Sequence, residues 1–112
     1  KKILNGDAET LNQYADELAR DYLSPKNESQ KLSTSQIRNV LDEIQRMKEY
    51  DSIKLQLLRP KLAYAAGRHK GKVKDFRDLI EILLKHTNQH NFPYFKYFIE
   101  AIVAYHRFHG GK

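Results

Sequence analysis

Apolar residues recur along this chain at helical spacing, three or four positions apart. Leu11, Tyr14, Leu18 and Tyr22 predict a first helix over 8–23. The stretch SPKNESQKL, 24–32, interrupts the pattern; its Ser-Pro stops the helix and its polarity marks a linker. Ser33-Thr34-Ser35-Gln36 has the form of a capping box, in which the Ser33 hydroxyl accepts from the Gln36 amide while the Gln36 side chain reaches back. The helix it opens carries Ile37, Val40, Leu41, Ile44 and Met47 on one face and is expected to end near Tyr50. Leu55, Leu58, Leu62 and Ala65 predict a third helix over 52–68. Pro60 lies inside it, and because proline lacks an amide hydrogen and crowds the preceding turn, a kink or break is expected near Arg59. Gly67 and Gly71 bracket a basic turn, after which Val73, Phe76, Leu79, Ile80, Leu83 and Leu84 define a fourth helix over 72–88. Asn91 stands where it can cap the last helix, with Pro93 in the first turn. Phe95, Phe98, Ile99, Ile102 and Val103 form its stripe, the most buried of all, and Gly110-Gly111 stops it.

No stretch alternates at the period of a strand, and no Asn-Gly or Asp-Gly hairpin signal occurs. The expected architecture is all-α: a single compact five-helix bundle with short connections. A length of 112 residues fits one domain over 1–112 with one core. At 40% hydrophobic and 30% charged residues the chain should fold rather than stay disordered. It has no cysteine, which excludes disulfides and thiol chemistry and fits a cytoplasmic setting. The apolar runs are too short to span a membrane, and KKILNGDAET lacks the apolar core of a signal peptide. Without an initiator Met the sequence reads as a trimmed chain.

Charge changes the picture. The net charge is +6, and residues 51–112 hold twelve Lys/Arg against five Asp/Glu, whereas 1–50 hold eight against nine. From Ser52 to Lys74 there is no acid at all, while Lys54, Arg59, Lys61, Arg68, Lys70, Lys72 and Lys74 all fall there, with His69 among them. Lys54, Lys61 and Arg68 follow at intervals of seven, so two helical turns bring each to nearly the same side, about 90° from the apolar stripe. Such a row neutralises phosphates and gives sequence-independent affinity for nucleic acid. Tyr64 points to a third side, where it packs or stacks, and His69 adds charge or stacks on a base. The bland reading is that long Lys and Arg stems cover apolar surface while their heads stay in water. That reading explains scattered lysines better than an acid-free run.

Catalytic chemistry finds little support. Asp42 and Glu43 are adjacent, about 100° apart on a helix, which is poor geometry for a carboxylate pair. GRHKG lacks the spacing of a phosphate-binding loop. His86 and His90, or His106 and His109, could share a helix face as two metal ligands, but no third ligand is recognisable, and histidines near helix C-termini are favoured by the dipole. Neither a metal nor any other cofactor is expected.

The stretches STSQIRNVLDEIQRMK, LQLLRPKLAYAAGRHKG and NFPYFKYFIEAIVAYHRFHGGK resemble the small subunit of type III-A CRISPR effector complexes, the Csm small-subunit family, over roughly 33–112. The resemblance implies an all-α bundle that is not the nuclease. In such complexes the backbone subunit cuts target RNA, and the large subunit has DNase and oligoadenylate-synthesis activity. It also implies that copies of this chain stack beside one another along the inner face, lining the channel that holds guide RNA and target RNA. Basic residues then meet the RNA, and charge and spacing nominate Lys54, Arg59, Lys61, Arg68, His69, Lys70, Lys72 and Lys74. Two other classes stand beside this one. A DNA-binding regulator would need base-reading Asn or Gln on the basic helix, which is poor in both. A structural adaptor binding only protein would show no salt-dependent affinity for RNA.

Overall fold

The computed structural model describes residues 2–68 and 71–111, with Lys2 and Ile3 as backbone only. A 3-10 turn over Lys2–Asn5 precedes helix α1, Ala8–Tyr22; a second, Glu28–Gln30, lies before α2, Thr34–Gln45. Then follow α3, Ser52–Arg68, α4, Lys72–His86, and α5, Phe92–Phe108. Among the described residues there is no strand, and the five helices make an all-α bundle. α5 lies along α1, α2 and the first 3-10 turn; α3 pairs with α4, and α4 also reaches α1.

Local chemistry sets the boundaries. Asp7 caps α1 by accepting from the Thr10 amide at 3.1 Å. The capping box forms as expected: the Gln36 amide donates to Ser33 Oγ at 3.2 Å, and the Ser33 amide donates to Gln36 Oε1 at 2.9 Å. α2 nevertheless ends at Gln45, short of Tyr50. The chain needs 46–51 to turn, because Asp51 caps α3 by accepting from the Lys54 amide at 3.0 Å. Met47 still reaches the core from this connector, and Tyr50 packs edge-on against Phe92. α3 runs unbroken past Pro60, on its exposed side, so the expected break does not occur. Asn91 occupies the position before α5, but its side chain does not cap that helix. It turns back instead: its Oδ1 accepts from the Asn88 amide at 2.7 Å and its amide group donates to the His86 carbonyl at 2.8 Å. The loop is thereby closed at the expense of a cap, and α4 stops at His86.

One core joins the elements. Phe76, Phe95, Phe98, Ile99 and Ile102 are wholly buried, and α5 buries seven residues, more than any other described helix. Tyr22 meets Phe76 edge to face at 5.9 Å, tying α1 to α4. The 24–32 linker is pinned at its end: the buried Leu32 donates its amide to the Tyr22 carbonyl, and its own carbonyl accepts from His106 Nε2 at 2.7 Å. Two glycines permit close approaches here. Gly71, with φ +109°, passes so near Gln30 that a Cβ would stand 2.5 Å from its carbonyl oxygen. Gly110 takes φ +93° to end α5, the Gly111 amide donates to the His106 carbonyl, and Gly111 then lies against the His106 ring with no room for a side chain.

Candidate nucleic-acid interface

α3 organises the basic surface. Leu55, Leu58 and Leu62 anchor it inward, so Lys54, Lys61 and Arg68 come out exposed in a row along one flank. Successive members of this row are about 10 Å apart along the axis. Arg59 stands two residues from Lys61 and so projects about 200° away, on the other flank, toward α4. Lys72 and Lys74 follow on the first turn of α4. His69 and Lys70 lie outside the described residues.

The acid-free segment finds its counter-charges in the folded chain. Arg59 grips Glu81 of α4, with Nε 2.9 Å and Nη2 2.8 Å from its two carboxylate oxygens. Their hydrogen bond holds the Glu81 carboxyl below, and the Arg59 guanidinium above, their ordinary pKa values. Arg77 adds a second guanidinium 3.7 Å from Glu81. Lys61 reaches across to Glu43 of α2 at 3.1 Å. Lys72 sits between Asp21 and Asp75 at 3.1 and 3.3 Å, and the hydrogen bond to Asp21 raises its pKa. Lys54, Arg68 and Lys74 differ. Among the described residues no carboxylate lies within ion-pair distance of any of them. Arg68 instead rests over the Tyr64 ring, 5.7 Å from its centroid.

Sequence reasoning could not find Glu43, Glu81 and Asp21 as partners, since they lie 18, 22 and 51 positions from the cations they hold. The excess of acid in the first half of the chain was the one available hint. It also passed over an apolar ridge beside the cation row. Ile53, Leu57 and Tyr64 are 73%, 57% and 67% exposed along one outer line of α3. Between α2 and α3 runs a groove of about 340 Å³, floored by Val40, Leu58, Leu62 and Val73 and bridged at its edge by Lys61–Glu43.

The histidine pairs are drawn apart. His106 is buried against the Leu32 carbonyl, while His109 bonds Asp16 of α1. Asp16 in turn accepts from Arg20 at 2.9 Å, and these two bonds lower its pKa. His90 falls in the loop beyond α4. Among the described residues no three His, Asp or Glu side chains gather as a metal site would require.

The Csm2 Type III-A family model matches residues 5–112. The chain belongs to that family. It is accordingly a small subunit of the type III-A CRISPR-Cas complex, associating with other Csm subunits. The match takes in α1 and the linker as well as the 33–112 stretch in which the sequence resemblance lay. Comparison with curated proteins, and with solved structures, returned no match. Among the described residues no helix is long and apolar enough to cross a membrane.

Proposed function

We propose that this Csm2-family chain is a non-catalytic, RNA-contacting subunit of the interference complex in the cytoplasm. Neighbouring copies stack beside it, and with the large and backbone subunits it lines the channel that holds guide RNA and target RNA. The observation that carries this reading is the set of free cations, Lys54 and Arg68 on α3 and Lys74 on α4, exposed with no acid in ion-pair distance among the described residues. Unpaired cations along a helix offer phosphates a charge that nothing in the fold has already neutralised. Lys61 extends the row between Lys54 and Arg68 once Glu43 releases it. Arg59 and Lys72 hold carboxylates and contribute less, while His69 and Lys70 prolong the charge on sequence grounds. The non-catalytic role draws support from His106 and His109, whose hydrogen bonds are structural.

A titration of single-stranded RNA against duplex DNA at several salt concentrations tests this reading. The expected result is weak binding without sequence preference whose affinity falls as salt rises, because point charges meet phosphates and not base edges. A protein-only adaptor is favoured by the internal pairing of Arg59, Lys61 and Lys72, and it predicts no salt-dependent RNA binding at all.

A further inference from the structure

The apolar ridge of α3 has no role in a purely electrostatic contact. Ile53, Leu57 and Tyr64 follow one another along the helix, bordered on one side by Lys54, Lys61 and Arg68. Tyr64 is the only aromatic of the three. Its neighbours one turn away are Pro60 and Lys61 before it and Gly67 and Arg68 after it. Gly67 leaves an open step beside the ring: a Cβ there would meet nothing within 4 Å. Arg68 holds the ring at two points, with the guanidinium over the π-face and Nη1 donating to the hydroxyl at 3.4 Å. An aromatic that is 67% exposed, steadied by a cation and flanked by phosphate-binding charges, has the parts of a site for an unpaired nucleobase. α3 itself carries no acid to repel the backbone such a base belongs to.

We propose that Tyr64 is a stacking platform for an unpaired RNA base, set beside the cation row so that the base lies on the ridge while its phosphates meet Lys54 and Arg68. The proposal rests on the RNA-binding reading and deepens it. The two layers separate experimentally, since stacking is insensitive to salt whereas phosphate neutralisation sets the slope of log affinity against log salt.

The test measures binding of a short single-stranded RNA carrying 2-aminopurine, at several salt concentrations, to the unmodified protein, Tyr64→Ala, Tyr64→Phe and the double variant Lys54→Gln/Arg68→Gln. Tyr64→Ala should weaken binding about five- to tenfold, the low end of what base–aromatic stacking contributes, by a similar factor at every salt concentration. Tyr64→Phe should stay within about twofold of the parent, because a phenyl ring offers the same stacking face. The 2-aminopurine signal should be quenched on binding to the parent and to Tyr64→Phe but not to Tyr64→Ala. The ring is exposed, so all variants should melt with the parent. If Tyr64→Ala binds and quenches as the parent does while the double variant flattens the salt slope, the platform is refuted and the phosphate reading stands. If the parent shows no salt-dependent binding, the RNA reading itself falls. If Tyr64→Ala leaves RNA binding intact and instead abolishes association between copies or with the other subunits, the ridge is a protein interface and the proposal is overturned.

Discussion

Replacing Glu43 by Gln should make the protein a stronger RNA binder. Glu43 holds the Lys61 head at 3.1 Å and also stands 3.5 Å from Arg46, so the isosteric amide frees charge without opening a hole. In the parent, Lys54, Arg68 and Lys74 are unpaired, and three phosphate contacts on single-stranded RNA correspond to a slope of log affinity against log salt of about −2. Lys61 lies in the row with Lys54 and Arg68, so its release adds about −0.7, and a contribution from Arg46 would bring the change to about −1.4. Glu81→Gln serves as the matched comparison. It frees Arg59, which projects from the opposite flank, and should leave the slope near that of the parent. An exposed ion pair is worth about 0–1 kcal/mol, so Glu43→Gln should melt close to the parent. Fluorescence anisotropy with one labelled RNA across a salt series reads all three slopes. Equal slopes for the parent and Glu43→Gln would remove Lys61 from the interface. A steeper slope for Glu81→Gln alone would move the RNA to the α4 flank and refute the assignment of the row.

Replacing Lys61 and Arg68 together by Ala should flatten the salt slope by about 0.7, since only Arg68 is unpaired in the parent, whereas the control pair Arg38 and Lys48 should have little effect. Truncating the wholly buried Phe98 to Ala should cost about 3–5 kcal/mol, and Ile102 to Ala about 2–5 kcal/mol, measured by denaturant unfolding; if both unfold with the parent, the α5 stripe is not core. Gly71→Ala forces a Cβ against the Gln30 carbonyl at positive φ and should lower the melting temperature, while Gly67→Ala, which meets nothing, should not. The Asp16 carboxyl is held below the ordinary aspartate value by Arg20 and then His109, so the stability it lends is present above that ordinary value and fades as pH falls through its lower folded one. Asp16→Asn should therefore show a shallower loss of melting temperature on acidification below about pH 4. The purified protein should cut neither RNA nor DNA with or without divalent metal, and cleavage abolished by a point change in this chain would overturn the non-catalytic role proposed for it.

The helices were legible in the sequence from their apolar stripes, aided at Ser33–Gln36 by a capping box and carried from Phe95 to Val103 by the stripe alone. They were illegible where a side chain had two possible duties. Met47 continued the stripe of α2, yet it reaches the core from a connector that must also position Asp51. Asn91 has the residue type of a cap but spends its hydrogen bonds on Asn88 and His86. Pro60 removes one backbone donor, but packing of Leu55, Leu58 and Leu62 on either side keeps α3 continuous. For the site, helical phase placed Lys54, Lys61 and Arg68 on one row. It could not show that Glu43, Glu81 and Asp21 return from other helices to neutralise half of the described strip, because salt bridges form in space between residues far apart in sequence.

The thin seam between α2 and α3 bears on how the molecule breathes. α3 is seventeen residues long yet buries only three of them, lies beside an open groove, and leaves the Gln56 carbonyl without the bond a residue other than Pro60 would donate. Such a helix belongs to the low end of the range of local opening free energies, whereas α5, with seven buried residues, belongs at the high end. Amide hydrogen exchange should then proceed early along Ser52–Arg68 and last along Phe92–Phe108. A ligand that fastens onto α3 must quiet that opening, so part of its binding energy goes into ordering the helix, and RNA should announce itself as slowed exchange there before any change of shape is visible.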